Sequence, residues 1–155
     1  MRLAILMVIF GAVGCFHDEE KTHVYNDPFS HLHIIAPRST EITVSGKKRT
    51  DLQVNVYGYY RLNESFSYKK KSDGHTTTLT IECLNEANHF FAYMDIEVPD
   101  SVALTVDTGE DVFIRDMREK IAVNAIGEGR VMMSNIEGDV FANLEDGVLH
   151  VENAT

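Results

Sequence analysis

Apolar and polar residues alternate with period two along much of the chain, and that alternation predicts β-strands. Between about Val24 and Val98, Ile42 and Val44 alternate with Glu41 and Thr43 until Ser45-Gly46 closes the run. Leu52, Val54 and Val56 alternate with Asp51, Gln53 and Asn55. Leu79, Ile81 and Cys83 share one face, opposite Thr78, Thr80 and Glu82, so Cys83 has the parity of a buried, inert thiol. Phe90, Ala92, Met94, Ile96 and Val98 form a further alternating face that Pro99-Asp100 stops. Ser72-Asp73-Gly74 predicts a hairpin turn, because Asp-Gly supplies the positive φ such turns demand. No stretch here carries a helical period.

From Val102 the pattern repeats. Val102, Ile121 and Val140 are spaced nineteen apart, as are Leu104, Val123 and Ala142, and then Thr105, Asn124 and Asn143. In the second half of each unit Val112, Val131 and Leu149 correspond, as do Ile114, Met133 and Val151, and Met117, Ile136 and Ala154. A fixed period with two short alternating runs per unit is the mark of a β-solenoid. The expected fold is therefore all-β: a single-stranded, right-handed β-solenoid with rungs 102–120, 121–139 and 140–155, preceded by antiparallel or alternating strands. Stacking at about 4.8 Å would place equivalent residues over one another. Asp116, Asn135 and Asn153 would form a side-chain ladder at one corner.

Composition adds an address. The 155 residues fit one domain, and 44% apolar residues are enough for a core. The net charge of −10 repels phosphate backbones, so nucleic acid is excluded as a partner. Two cysteines, at 15 and 83, make neither a disulfide framework nor a CxxC metal site. Met1-Arg2 and the apolar run Leu3 to Val13 resemble a secretory signal that is too short to span a bilayer. Ala12-Val13-Gly14-Cys15 resembles a bacterial lipobox with Ala in place of the common Leu, which implies a signal peptide over 1–14 and lipidation of Cys15. Several acyl chains give the stable membrane anchoring that one chain does not. The acidic stretch 15–23, with Asp18, Glu19 and Glu20, reads as a solvated tether; it also resembles the surface-export signals of Bacteroidetes lipoproteins.

Candidate chemistry is sparse. His31-x-His33 has chelating spacing on a strand, but no third ligand is assigned, and two metal-free exposed histidines are the simpler reading. The acidic turns at Asp107, Glu110-Asp111, Glu137-Gly138-Asp139 and Glu145-Asp146 lack the repeat that builds calcium-binding β-rolls. Rungs of about nineteen residues leave little loop to wall a sugar cleft, so a polysaccharide-cleaving enzyme is disfavoured. Lys47-Lys48-Arg49 and Lys69-Lys70-Lys71 read as solvated loops or edge gatekeepers. Tyr57, Tyr59 and Tyr60 read as packing or as glycan-stacking aromatics. No catalytic residue, metal site or cofactor is assigned.

Ile96-Glu97-Val98-Pro99, followed by Val102-x-Leu104-x-Val106-x-x-Gly109-x-x-Val112-x-Ile114, resembles the bacterial putative-adhesin family of cell-envelope β-solenoids, a domain of unknown function. The resemblance spans roughly 24–155. It implies an exported, non-enzymatic module that binds a protein or glycan partner, either displayed at the surface or docked to another envelope component in the periplasm. The family would carry more rungs than three. The outer edge of the last rung, at Leu149, His150, Val151 and Glu152, is the expected docking edge, for a partner or for a second copy in a homodimer.

Overall fold

The computed structural model describes residues 18–36, 40–59, 66–83 and 92–155, and every regular element among them is a strand. In chain order these are β1 (Asp18–Tyr25), β2 (His31–Ala36), β3 (Thr40–Lys47), β4 (Leu52–Tyr59), β5 (Phe66–Ser72), β6 (Thr76–Cys83) and β7 (Ala92–Pro99). They continue with β8 (Ala103–Thr108), β9 (Val112–Met117), β10 (Ile121–Ala125), β11 (Arg130–Ile136), β12 (Val140–Leu144) and β13 (Val148–Ala154). Sheet I runs β1-β4-β7-β3-β9-β11-β13, and sheet II runs β12-β10-β8-β2-β6-β5. Leu32, Ile34 and Leu79 from sheet II join Ile42, Val44 and Ile96 from sheet I in one core cluster, all at 0–1% exposure. Burying each such side chain contributes about 1.5–3 kcal/mol.

Pairs of strands, one in each sheet, stack in parallel in the spatial order β6/β7, β2/β3, β8/β9, β10/β11, β12/β13. The solenoid expectation is corrected here. Spatial order departs from chain order, because β2/β3 sits between β6/β7 and β8/β9. Beyond β7 the strands β4 and β1 run antiparallel, as does β5 beyond β6. The result is two mixed sheets and not a closed, single-stranded solenoid. The segment expected as an acidic tether is strand from Asp18 onward, paired with β4. Residues 1–17, including the signal segment and Cys15, lie outside the described residues.

The register keeps most of the anticipated columns and shifts the rest. In sheet I, Met94, Ile42, Val112, Val131 and Leu149 align, as do Ile96, Val44, Ile114, Met133 and Val151. In sheet II, Ile121 pairs with Val140 as expected but with Leu104 in place of Val102, and Val123 pairs with Val106 in place of Leu104. Asn124 likewise meets Asp107, not Thr105. The cause is the corner between the strands. Three residues (109–111) join β8 to β9, whereas four (126–129) join β10 to β11 and β11 begins one residue earlier in register, so β8 slides by two.

The Asp116, Asn135 and Asn153 corner is built as anticipated. All three adopt positive φ, at 59°, 54° and 52°. Asn and Asp tolerate this region because their short side chains bond locally. Asn135 Nδ2 donates to Asp116 Oδ1 at 2.9 Å, and Asn153 Nδ2 to Asn135 Oδ1 at 3.5 Å. On the β3 side the column closes on Gly46, where a Cβ would stand 2.0 Å from the Asp116 carbonyl oxygen. Only glycine admits that approach. The Ser72-Asp73-Gly74 hairpin also forms, joining β5 to β6, with Gly74 at φ 91°. Asp73 Oδ1 accepts from the backbone N–H of Thr76 and His75, which holds its carboxyl below the ordinary range.

Candidate functional site

The two ends of the stack differ. At the β1/β5 end, the His23 and Tyr68 rings meet edge to face at 4.6 Å, and Lys70 sits 4.8 Å over the Tyr25 ring while pairing with Asp27. Polar and aromatic groups seal the core there. At the other end β12 and β13 are the outermost strands, and every residue of β13 is exposed. Val148, Leu149 and Val151 are 63%, 41% and 38% exposed, and Phe141 on β12 stands out as well. Leu149 and Val151 continue core columns, so they are core residues by register, and no strand among the described residues pairs beyond them. Between and beside them His150 Nε2 meets Glu152 Oε1 at 2.9 Å. All the edge residues singled out from sequence therefore share one exposed strand.

The histidines lie on the outer face of sheet II. His33 Nε2 is 2.6 Å from Asp107 Oδ2, and Asn124 Nδ2 donates to Asp107 Oδ1 at 2.6 Å. Partial burial works against the Asp107 carboxylate, but the bonds from Asn124 and His33 prevail and lower its pKa. His31 Nε2 lies 2.8 Å from Thr105 Oγ1; burial first, and the neighbouring His33 second, push its pKa down. His31 thus favours its neutral form, and both rings are engaged within the sheet. Among the described residues no group of three His, Cys, Asp or Glu side chains converges as a metal site.

Three of the six residues in the basic clusters, Arg49, Lys69 and Lys70, are held in ion pairs. Arg49 binds Asp51 at 2.7 Å, Gln53 at 3.1 Å and also Glu97. Lys69 pairs with Glu82 at 2.8 Å. Asp111 of the acidic turns accepts from the Arg130 backbone at 2.7 Å and from its Nε at 2.9 Å, an arrangement that lowers the Asp111 pKa. Tyr57 is half-buried on β4 opposite the exposed Tyr93, while the Tyr59 and Cys83 side chains and all of Tyr60 lie outside the described residues.

No family model matches the chain, and no curated protein matches it. Among solved structures it is similar to a putative cell adhesion protein from Clostridium sporogenes, with a TM-score of 0.54 at 9% identity, covering 90% of this chain and 100% of that one. It is also similar to a putative lipid binding protein from Parabacteroides distasonis, with a TM-score of 0.53 at 12% identity, covering 85% of this chain and 65% of that one. The fold is shared. At these identities the likeness reaches architecture and stops there. A third structure, a putative adhesin from Bacteroides fragilis, superposes with a TM-score of 0.36 at 14% identity, over 88% of this chain and 97% of that one.

Sequence reasoning passed over the outer face of sheet I. There Asp95, Thr43, Phe113, Met132 and His150 form one cross-strand row, and Glu97, Ser45, Arg115, Ser134 and Glu152 form the next. All of these residues except Glu97 and Ser45 line a shallow groove of about 530 Å³. Its sequence signal was slight: an arginine and a phenylalanine on the polar parity of β9.

Proposed function

We propose that the chain is a non-enzymatic, adhesin-like binding module of the bacterial cell envelope, anchored through lipid on Cys15. Membership of the putative-adhesin family is part of this reading. The observation that carries it is the uncovered continuation of the core at Leu149 and Val151, beside the open ladder of β13. Unpaired strand edges recruit another chain through main-chain hydrogen bonds, and apolar side chains add area. The adhesion name carried by the Clostridium sporogenes structure agrees with this use of the fold. The corners from β8 to β13 agree too, since each is only three or four residues long.

Fractionation and protease shaving of whole cells test the reading together. The chain should sit in the membrane fraction and be clipped from intact cells. Cys15→Ser should release it to the soluble fraction. A wild-type chain that stays soluble overturns the anchor. A membrane-bound chain protected from protease overturns surface display in favour of a periplasm-facing assembly role.

A further inference from the structure

The outer-face groove of sheet I deepens that reading and rests on it. Backbone groups of β7, β3, β9 and β11 beneath the groove are committed to ladders on both sides, and only the outer edge of β13 is open. Recognition at the centre of the groove, on β9, therefore runs through side chains. At the centre stands Arg115, whose Nε donates to Ser45 Oγ at 2.8 Å. That bond orients the guanidinium and leaves its terminal nitrogens without a carboxylate among the described residues. The other described arginines differ: Arg49 holds Asp51, Arg118 holds Asp100 and Arg130 holds Asp111. An unclaimed guanidinium in a chain of net charge −10 is an exception.

We infer that this groove binds the carboxylate of an acidic sugar residue within a glycan. A guanidinium pairs with a carboxylate through two parallel hydrogen bonds, and its planar fork suits that geometry. Phe113 and Met132 line the same groove and present apolar surface to the C–H face of a sugar ring. Thr43, Ser134, Asp95 and Glu152 line it as well and supply partners for ring hydroxyls. The two carboxylates also limit the charge the ligand can carry. Asp95 and Glu152 outnumber the one arginine of the lining, so the groove admits only an isolated carboxylate seated directly on Arg115, and polyphosphate or nucleic acid would be repelled. An acidic peptide would pair its main chain with the open edge of β13, at the margin of the groove, and not over β9 where Arg115 stands.

Isothermal titration of the purified full chain tests this with three probes: an oligosaccharide alternating glucuronate with N-acetylglucosamine, the same sugar with its carboxyls reduced, and oligoglutamate. The glucuronate oligosaccharide should bind, and the reduced form should bind about tenfold more weakly or worse. Arg115→Gln should lose a similar factor, Arg115→Lys should retain part of the affinity, and Arg118→Gln should change nothing. Arg115 is exposed, so its variants should keep the wild-type urea midpoint and the loss can be read as binding. Equal affinity for the reduced sugar, undiminished binding by Arg115→Gln, tighter binding of oligoglutamate, or no binding of any probe overturns the assignment. Each of those results leaves the envelope reading standing, because cell fractionation and shaving decide it independently.

Discussion

Asn135 holds two jobs at one corner. It takes a left-handed backbone at φ 54°, and its side chain bridges Asp116 below to Asn153 above. The two contributions separate by substitution. Asn135→Gly keeps the backbone accessible and loses only the ladder, at about 0.5–1.5 kcal/mol per hydrogen bond. Asn135→Ala loses the ladder and adds the left-handed penalty of about 1–2 kcal/mol. Urea midpoints should therefore fall in the order wild type, glycine, alanine. An alanine variant as stable as the glycine one would mean that the corner relaxes out of the left-handed region. This column was legible in sequence because Asp and Asn recur where stacked corners tolerate them. Gly46, which closes it, was read only as the end of a strand, since its close approach involves Asp116, seventy residues away.

Strands were legible where one face is buried and the other wet. β3, β4, β6, β7 and every strand from β8 to β13 fall on runs that alternate in the sequence. What sequence could not show was which strands stack. β2/β3 supplies a layer between β6/β7 and β8/β9, yet the chain visits it well before either neighbour. A repeat search sees sequential period, and this layer breaks sequence order. The Val102 column failed for a related reason: residue spacing counts the corners along with the strands, so a longer corner elsewhere mimics a register shift. Position in the stack also sets energetic weight. Ile114 and Val151 share a column, but Ile114 is 1% exposed at the centre and Val151 is 38% exposed at the end. Ile114→Ala should cost about 2–5 kcal/mol through lost contacts and a residual cavity. In the separated chain Val151→Ala should cost well under half of that, because solvent reaches its side chain there. Chemical denaturation of both variants at a protein concentration low enough to keep the chain monomeric checks this, and equal losses there would mean that Val151 is buried within the chain itself.

At the scale of the molecule the two ends of the stack set its behaviour. The β1/β5 end is closed by rings and an ion pair, while the β12/β13 end offers an apolar row along an open ladder. Two copies meeting end to end about a two-fold axis would run β13 antiparallel to itself. If Val151 faces Val151 of the second copy, then His150 of each chain falls opposite Glu152 of the other. This register places unlike groups opposite each other twice and buries the apolar row between them. Light scattering at micromolar concentration should give the dimer mass, and Leu149→Lys with Val151→Lys should return it to monomer, because edge lysines block strand pairing. A monomeric wild type sinks the idea. The register has its own check. His150→Glu sets carboxylates against Glu152 and should weaken the dimer, whereas His150→Glu with Glu152→His restores opposition with the roles exchanged. A charge-matched control separates register from net charge: His150→Glu with Glu128→His, on a different corner, restores the net charge without the opposition, so rescue by the swap and not by this control assigns the pairing to β13.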